Sequence, residues 1–140
     1  MHDIVLIGMN HKTAPVELRE CIGFSQDRTE TAVAALRRLP GVCESLLYST
    51  CNRVELLLVT EDKPVSVEAA KAFIAETNQI PLGQFERALY VHENDHAARH
   101  LFRVAAGLDS LIVGEPQILG QIKEAYRQAA AAKTTGVILN

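Results

Sequence analysis

The residues best suited to chemistry lie at positions 49–55, where the sequence reads STCNRVE. Apolar runs flank this stretch on both sides, which predicts a polar turn between two buried strands. Cys51 would be exposed in such a turn, and a thiolate there could attack a carbonyl carbon. Arg53 and a nearby histidine would favour that thiolate. The pattern alone leaves two interpretations open, a nucleophile and an inert turn cysteine.

Three histidines are spaced four residues apart, at His92, His96 and His100. His100 lies at the edge of the apolar stripe of a predicted helix, where a side chain can be half buried and still reach a cleft. The same spacing raises an alternative function, a non-catalytic metal-binding module. Because His92 is predicted to precede the helix and His96 to face water, we expect no metal site.

The remaining cysteines, Cys21 and Cys43, show no disulfide or metal pattern. The total of three is odd and no Cys-x-x-Cys pair occurs, so we expect free thiols, with Cys21 and Cys43 acting as small buried hydrophobic residues.

Nucleotide-binding signatures are also missing from the sequence. There is no G-x-G-x-x-G, and the segment from Gly114 to Gly120 continues with Gln121 where a phosphate loop needs lysine. Any redox cofactor would therefore bind elsewhere.

The composition predicts one globular domain. The chain has 140 residues, 48% of them apolar, and a net charge of −3. A chain of this length can bury a hydrophobic core without disulfides or structural metal ions. Its negative net charge gives it no general affinity for nucleic acid. No apolar run reaches the length of a transmembrane helix, and the first residues lack the basic start of a secretion signal. We expect a cytoplasmic protein that does not bind membranes.

Periodicity predicts the elements that position these residues. Strands are predicted at 3–9, 43–50, 54–60 and 89–91, and helices at 16–22, 26–39, 66–78, 94–106 and from 114 onward. The order βαββαβ predicts a ferredoxin-like α+β fold, an antiparallel sheet with helices on one face plus additional C-terminal helices. A right-handed crossover then puts the loop at 10–13 and the Cys51 turn at the same end of the sheet. Gln117 and Gln121 would lie one turn apart on the flank of the last helix.

Four segments in order carry a recognisable pattern. They read GMNHKTAP at 8–15, STCNRVE at 49–55, GLDS at 107–110 and GEPQILGQ at 114–121. Together they resemble the N-terminal catalytic domain of glutamyl-tRNA reductases, and the resemblance covers essentially the whole chain. That family's catalytic domain has the ferredoxin-like fold predicted above.

The resemblance implies a reaction and a set of site residues. Cys51 would attack the activated ester of glutamyl-tRNA(Glu) and form a thioester, which hydride from NADPH would convert to glutamate-1-semialdehyde, the precursor of 5-aminolevulinate and tetrapyrroles. His100 would polarise the ester carbonyl or manage protons. Arg53 would pair with the glutamate carboxylate, and Glu115 with the ammonium. The substrate-binding positions implied are Thr50, Asn52, Arg53, Ser110, Glu115, Pro116, Gln117 and Gln121.

The resemblance also implies what lies beyond this chain. Residues 1–140 would form the catalytic, glutamate-recognition domain, whose last helix and tail lead toward an absent NADPH-binding domain. The apolar residues at 137–139 are predicted to have nothing to pack against, as in a piece of a longer protein. The full-length enzyme would be a homodimer and would hand its product to glutamate-1-semialdehyde aminomutase. The isolated chain is expected to be at most esterase-like.

Overall fold

The computed structural model describes residues 2–108 and 117–140, in which a four-stranded antiparallel sheet is combined with five α-helices. The strands are β1 (Asp3–Asn10), β2 (Val42–Ser49), β3 (Arg53–Thr60) and β4 (Tyr90–Glu93). The helices are α1 (Val16–Ile22), α2 (Gln26–Arg37), α3 (Lys63–Asn78), α4 (Asp95–Ala105) and α5 (Gln117–Ala131). Within the described ranges, each helix is too short or too polar to cross a membrane.

The strands lie in the order β2-β3-β1-β4, and every neighbouring pair is antiparallel. The predicted antiparallel α+β sheet is therefore confirmed. Because β1 and β2 both run antiparallel to β3, they are parallel to each other. Asn10 at the end of β1 pairs with Arg53 at the start of β3. The loop after β1 and the Cys51 turn thus lie at the same end of the sheet, as predicted.

Helices cover both faces of the sheet. Ser45 of β2 donates a hydrogen bond to the Val33 carbonyl of α2 at 2.8 Å, and Thr60 of β3 contacts Ser66 of α3 at 2.6 Å. Glu55 points to the opposite face, because side chains alternate along a strand. His100 of α4 contacts Glu55 there. The second face therefore carries the candidate site.

Several predicted boundaries shift in the structure. α3 begins at Lys63 rather than at residue 66, because Asp62 caps it by accepting from the Val65 N–H at 3.4 Å, and Pro64 fits its first turn. α2 ends at Arg37 instead of residue 39, and β4 spans Tyr90–Glu93 instead of 89–91. The prediction that Cys21 is buried is wrong, since its side chain is exposed.

The C-terminal residues fold back on β2. The backbone N–H groups of Gly136, Ile138 and Leu139 donate to the carboxylate of Glu44, at 2.6, 3.2 and 2.8 Å. Leu139 packs on the core, whereas Val137 is 97% exposed. The prediction that 137–139 have nothing to pack against is therefore wrong for Leu139, because one buried carboxylate fixes the backbone beside it.

Gly8 of β1 gives the first testable prediction. A Cβ at this position would lie 2.5 Å from the Val54 carbonyl oxygen and 2.7 Å from Cγ of Glu55. Since the first of these is a backbone atom in the middle of the sheet, β1 and β3 would have to separate. We expect Gly8→Ala to lower the free energy of unfolding by about 2–3 kcal/mol in urea titrations.

Gly120→Ala is the matched control for this prediction. Gly120 lies inside α5, and a Cβ there would meet nothing within 4 Å beyond its own helix. Alanine also favours the helical conformation, so we expect a neutral or slightly stabilising effect. If Gly8→Ala and Gly120→Ala changed the free energy of unfolding equally, the close approach of β1 and β3 at Gly8 would be contradicted.

Candidate active site

Thr50 shapes the turn that carries Cys51. Its Oγ1 accepts hydrogen bonds from the backbone N–H groups of Asn52 at 3.1 Å and Arg53 at 3.2 Å. The Thr50 N–H in turn donates to the Arg53 carbonyl at 2.7 Å. The turn is thus closed through its own backbone, and the Cys51 side chain is left exposed to solvent.

Arg19 of α1 ties this turn to the loop after β1. Its Nε donates to the Cys51 carbonyl at 3.3 Å, and its Nη1 donates to the Ala14 carbonyl at 2.9 Å. On the other side of the turn, Ser49 Oγ accepts from the Phe24 N–H at 2.9 Å. Side chains and backbone from separate segments therefore fix the position of the thiol.

A row of four residues crosses the sheet behind the turn. Tyr48 of β2 pairs with Glu55 of β3, Glu55 pairs with Gly8 of β1, and Gly8 pairs with Tyr90 of β4. Directly paired residues point to the same face. Both tyrosine hydroxyls donate to Glu55, Tyr48 to Oε1 and Tyr90 to Oε2, each at 2.5 Å. Because Gly8 has no side chain, the Glu55 carboxylate can reach across β1 to Tyr90.

Two basic side chains complete what we call the Glu55 cluster, made of Tyr48, Arg53, Glu55, Tyr90 and His100. Arg53 Nη1 lies 3.5 Å from Glu55 Oε1, and these side chains are 1% and 0% exposed. His100 Nε2 contacts Glu55 Oε2, and its ring lies against that of His92, tilted by 30° with the centroids 4.6 Å apart. Buried charges are tolerated when they are paired. Glu55 therefore sets the positions of both Arg53 and His100.

The cluster holds Glu55 as a carboxylate. Burial raises the pKa of Glu55. The hydrogen bond and positive charge of His100, together with the charge of Arg53, lower this pKa by more than burial raises it, so it lies below its ordinary value. Burial and the adjacent Glu55 carboxylate raise the pKa of Tyr48 well above its ordinary value. Tyr48 is therefore protonated and donates to a charged acceptor.

The lowered pKa of Glu55 predicts a pH dependence of stability. A carboxyl group with a depressed pKa in the folded state contributes stability above its ordinary value of 4.5, and this stability is lost as the pH falls through the folded-state pKa. Urea unfolding between about pH 6 and about pH 3 should therefore show a steeper loss of stability for the native sequence than for Glu55→Gln. Parallel curves would contradict the assignment.

A small pocket of about 40 Å³ opens beside Cys51. The described residues that line it are Thr50, Cys51, Asn52, Arg53, Gln117, Ile118 and Gln121. The structure thus brings together most of the residues predicted from the sequence. Ser110, Glu115 and Pro116 fall outside the described residues. His100 is not part of this described lining, and Glu55 stands between it and Arg53.

A larger pocket of about 560 Å³ adjoins the first between α2, β2 and α5. Gln117 and Gln121 line both pockets. The other lining residues are Phe24, Thr29, Leu47, Tyr48, Ser49, Gly120, Glu124, Ala125 and Gln128. The two amides therefore lie at the boundary between the pocket beside Cys51 and the larger pocket along α5.

Residues 7–140 match the family described as glutamyl-tRNAGlu reductase, N-terminal domain. The chain belongs to this family. It is 50% identical over 138 residues to the glutamyl-tRNA reductase of Desulfatibacillum aliphaticivorans, covering 99% of this chain and 32% of that protein. The glutamyl-tRNA reductase of Pelobacter propionicus is 47% identical over 138 residues, with the same coverage of 99% and 32%.

A solved structure of the family shares the fold. Glutamyl-tRNA reductase from Methanopyrus kandleri aligns with a TM-score of 0.72 and 34% identity, covering 97% of this chain and 30% of that one. The chain therefore spans about a third of the length of the relatives that it matches. The resemblance to glutamyl-tRNA reductases seen in the sequence is confirmed at the level of this N-terminal domain.

Several residues that surround the candidate site were not predicted from the sequence. Glu55 lies within the stretch 49–55, but no role of its own was predicted for it, and none was predicted for Tyr48, Tyr90 or Arg19. One signal was available, because Arg53 and Glu55 are two residues apart in an otherwise apolar strand and must share a face. Opposite charges on one face of a buried strand indicate an ion pair.

The described residues do not gather all three histidines of the alternative hypothesis into one group of possible metal ligands. His96 is exposed, and His100 Nε2 contacts Glu55. Across residues 2–108 and 117–140, the side chains close enough to share a metal ion do not include His92, His96 or His100. The geometry of these described residues gives no support to a metal-binding module built on the three histidines.

Proposed function

We propose that this chain is the acyl-transfer domain of an NADPH-dependent glutamyl-tRNA reductase, with Cys51 as the nucleophile. The observation that carries the proposal is the exposed Cys51 thiol at a pocket lined by Arg53 and by the amides of Gln117 and Gln121. A thiol, a guanidinium and amides at one pocket suit capture of a polar, charged acyl group.

In the proposed step, Cys51 Sγ bonds to the ester carbonyl carbon of glutamyl-tRNA(Glu). The bond from that carbon to the tRNA ribose oxygen breaks, the thiol proton passes to that oxygen, and a thioester remains on Cys51. Water attack on the thioester would release glutamate, so the isolated chain is at most an esterase. Covalent capture divides one difficult acyl reduction into two easier steps.

The Glu55 cluster would organise glutamate recognition. Arg53 lines the pocket beside Cys51 and also forms an ion pair with Glu55. A guanidinium in the pocket lining offers the planar, two-pronged donor geometry that suits the substrate's side-chain carboxylate. His100 acts in this proposal at the edge of the site through Glu55, with Ser110, Glu115 and Pro116 as further substrate contacts.

The proposal covers the longer enzyme as well. A domain outside this chain would hold NADPH, which would supply the hydride for reduction of the thioester to glutamate-1-semialdehyde. The enzyme is a cytoplasmic homodimer at the first step of tetrapyrrole biosynthesis, and its product passes to glutamate-1-semialdehyde aminomutase. The strand order β2-β3-β1-β4 supports placing the domain among ferredoxin-like folds.

Mass spectrometry tests the central step. The chain is incubated with glutamyl-tRNA(Glu), quenched in acid and digested, and we expect a glutamyl group on the peptide that carries Cys51. A glutamyl group on Cys21, the other exposed cysteine, would indicate nonspecific acylation. Absence of any adduct on Cys51, in this chain and in the full-length enzyme, would refute the thioester step.

A further inference from the structure

We propose that His2, Cys43 and Glu61 form a zinc-binding site at the end of the sheet remote from Cys51. One potential ligand atom from each residue lies within 4.8 Å of the other two. His2 Nε2 and Glu61 Oε1 are 3.5 Å apart. Because the three residues are far apart in the sequence, they do not form a metal-binding sequence motif.

The sheet register brings these residues together. Thr60 of β3 pairs with Asp3 of β1 and with Val42 of β2. His2 immediately precedes Asp3, and Glu61 immediately follows Thr60, so both stand at the same rim of the sheet. The Glu61 N–H donates to the Gly41 carbonyl at 2.9 Å, which holds this residue against the start of β2.

A strand irregularity places the thiol. The pairing of β2 with β3 shifts between Val42 and Glu44, so Cys43 is the extra residue of a bulge. Bulges bend a strand and re-aim a side chain. Cys43 is half buried, and its Sγ stays near the Gly41 carbonyl at 3.8 Å. The bulge thus turns a strand cysteine toward the rim occupied by His2 and Glu61.

The donor set matches zinc. Imidazole nitrogen, thiolate sulfur and carboxylate oxygen are its usual protein ligands, whereas Ca²⁺ and Mg²⁺ select oxygen. Ligands about 2.1 Å from a tetrahedral ion stand roughly 3.4 Å apart, close to the His2–Glu61 separation. The side chains of His2 and Glu61 are 45% and 68% exposed, so they can move the short distance needed to close on an ion. A water molecule would complete four-coordination.

The site is separate from the proposed chemistry. Cys51 precedes β3 and Glu61 follows it, and the eight residues of this strand span roughly 25 Å. A zinc ion at this rim would join the beginnings of β1 and β2 to the end of β3. We therefore assign it a stabilising role that is independent of acyl transfer by Cys51.

The test uses the 140-residue chain without an affinity tag and with Cys21→Ala and Cys51→Ala, so that Cys43 is the only thiol left. Cobalt(II) serves as the spectroscopic substitute for zinc. We expect one ion per chain, a near-ultraviolet thiolate-to-cobalt band that zinc displaces, and a Tm increase of roughly 10 °C when free zinc is a hundredfold above Kd.

Ligand variants decide whether all three residues take part. Cys43→Ala should abolish the thiolate band, and His2→Ala and Glu61→Gln should each weaken zinc binding on the order of a hundredfold. His96→Ala and Glu17→Gln remove an exposed histidine and an exposed glutamate elsewhere and should change nothing. The proposal is overturned if no thiolate band appears, or if His2→Ala and Glu61→Gln leave the affinity unchanged. Both latter residues are exposed, so these variants are informative even if Cys43→Ala fails to fold.

Discussion

Glu55→Ala is expected to reduce the free energy of unfolding by about 3–5 kcal/mol, a large share of the stability of a domain of this size. The substitution removes the carboxylate that pairs with Arg53, whose side chain is only 1% exposed. When that carboxylate is removed, the buried guanidinium keeps its desolvation cost and loses the opposite charge that helped to offset it. Tyr48 and Tyr90 lose their acceptor at the same time.

Two comparisons isolate the buried charge in that experiment. Glu55→Gln keeps the shape and an acceptor oxygen, so it should cost less than Glu55→Ala. Glu93→Ala removes the carboxylate of an exposed pair with Lys63 and should have a far smaller effect. Chemical denaturation of the three variants measures these differences. If Glu55→Ala and Glu93→Ala cost the same, the cluster does not stabilise the fold.

Cys51→Ala should abolish hydrolysis of glutamyl-tRNA(Glu) by the chain, with a loss of at least about a thousandfold. The reason is that no other group in the described lining of the pocket is a thiol that could form the acyl intermediate. Cys51→Ser is expected to be nearly as inactive, because a hydroxyl is barely ionised near neutral pH. Release of labelled glutamate from the tRNA measures the rate.

Cys21→Ala is the matched control, since Cys21 is also an exposed free thiol. It should hydrolyse the ester at the native rate. Both variants should unfold at the native denaturant concentration, which separates a chemical loss from a folding defect. Hydrolysis that persists in Cys51→Ala would assign the esterase activity to another group and would remove Cys51 from the proposed mechanism.

The sequence predicted the elements and the neighbourhood of Cys51 because these depend on local patterns. Alternating and continuous apolar runs located the strands, and the crossover rule placed the loop at 10–13 beside the Cys51 turn. Gln117 and Gln121 were expected on one flank of a helix, and both line the pocket beside Cys51. Each of these inferences needs only periodicity and strand direction.

Contacts that depend on register were not predictable in the same way. Which residue lies opposite Glu55 is decided by the pairing of three strands, and a shift of one residue would turn its side chain to the other face. The interactions of Arg19 with the Cys51 carbonyl and of Glu44 with the C-terminal backbone likewise join segments that share no pattern. Only the folded chain shows them.

The distribution of the Glu55 cluster along the chain bears on how the domain is made. Glu55 is separated by 7 residues from Tyr48, by 35 from Tyr90 and by 45 from His100. Local hairpin contacts form early, whereas contacts across long loops carry a larger entropic cost. During synthesis the hairpin bearing Cys51 emerges well before β4 and α4. The nascent hairpin therefore presents its thiol, Arg53 and Glu55 before Tyr90 and His100 have arrived, and a chain stalled near residue 90 would lack the contact of His100 with the Glu55 carboxylate.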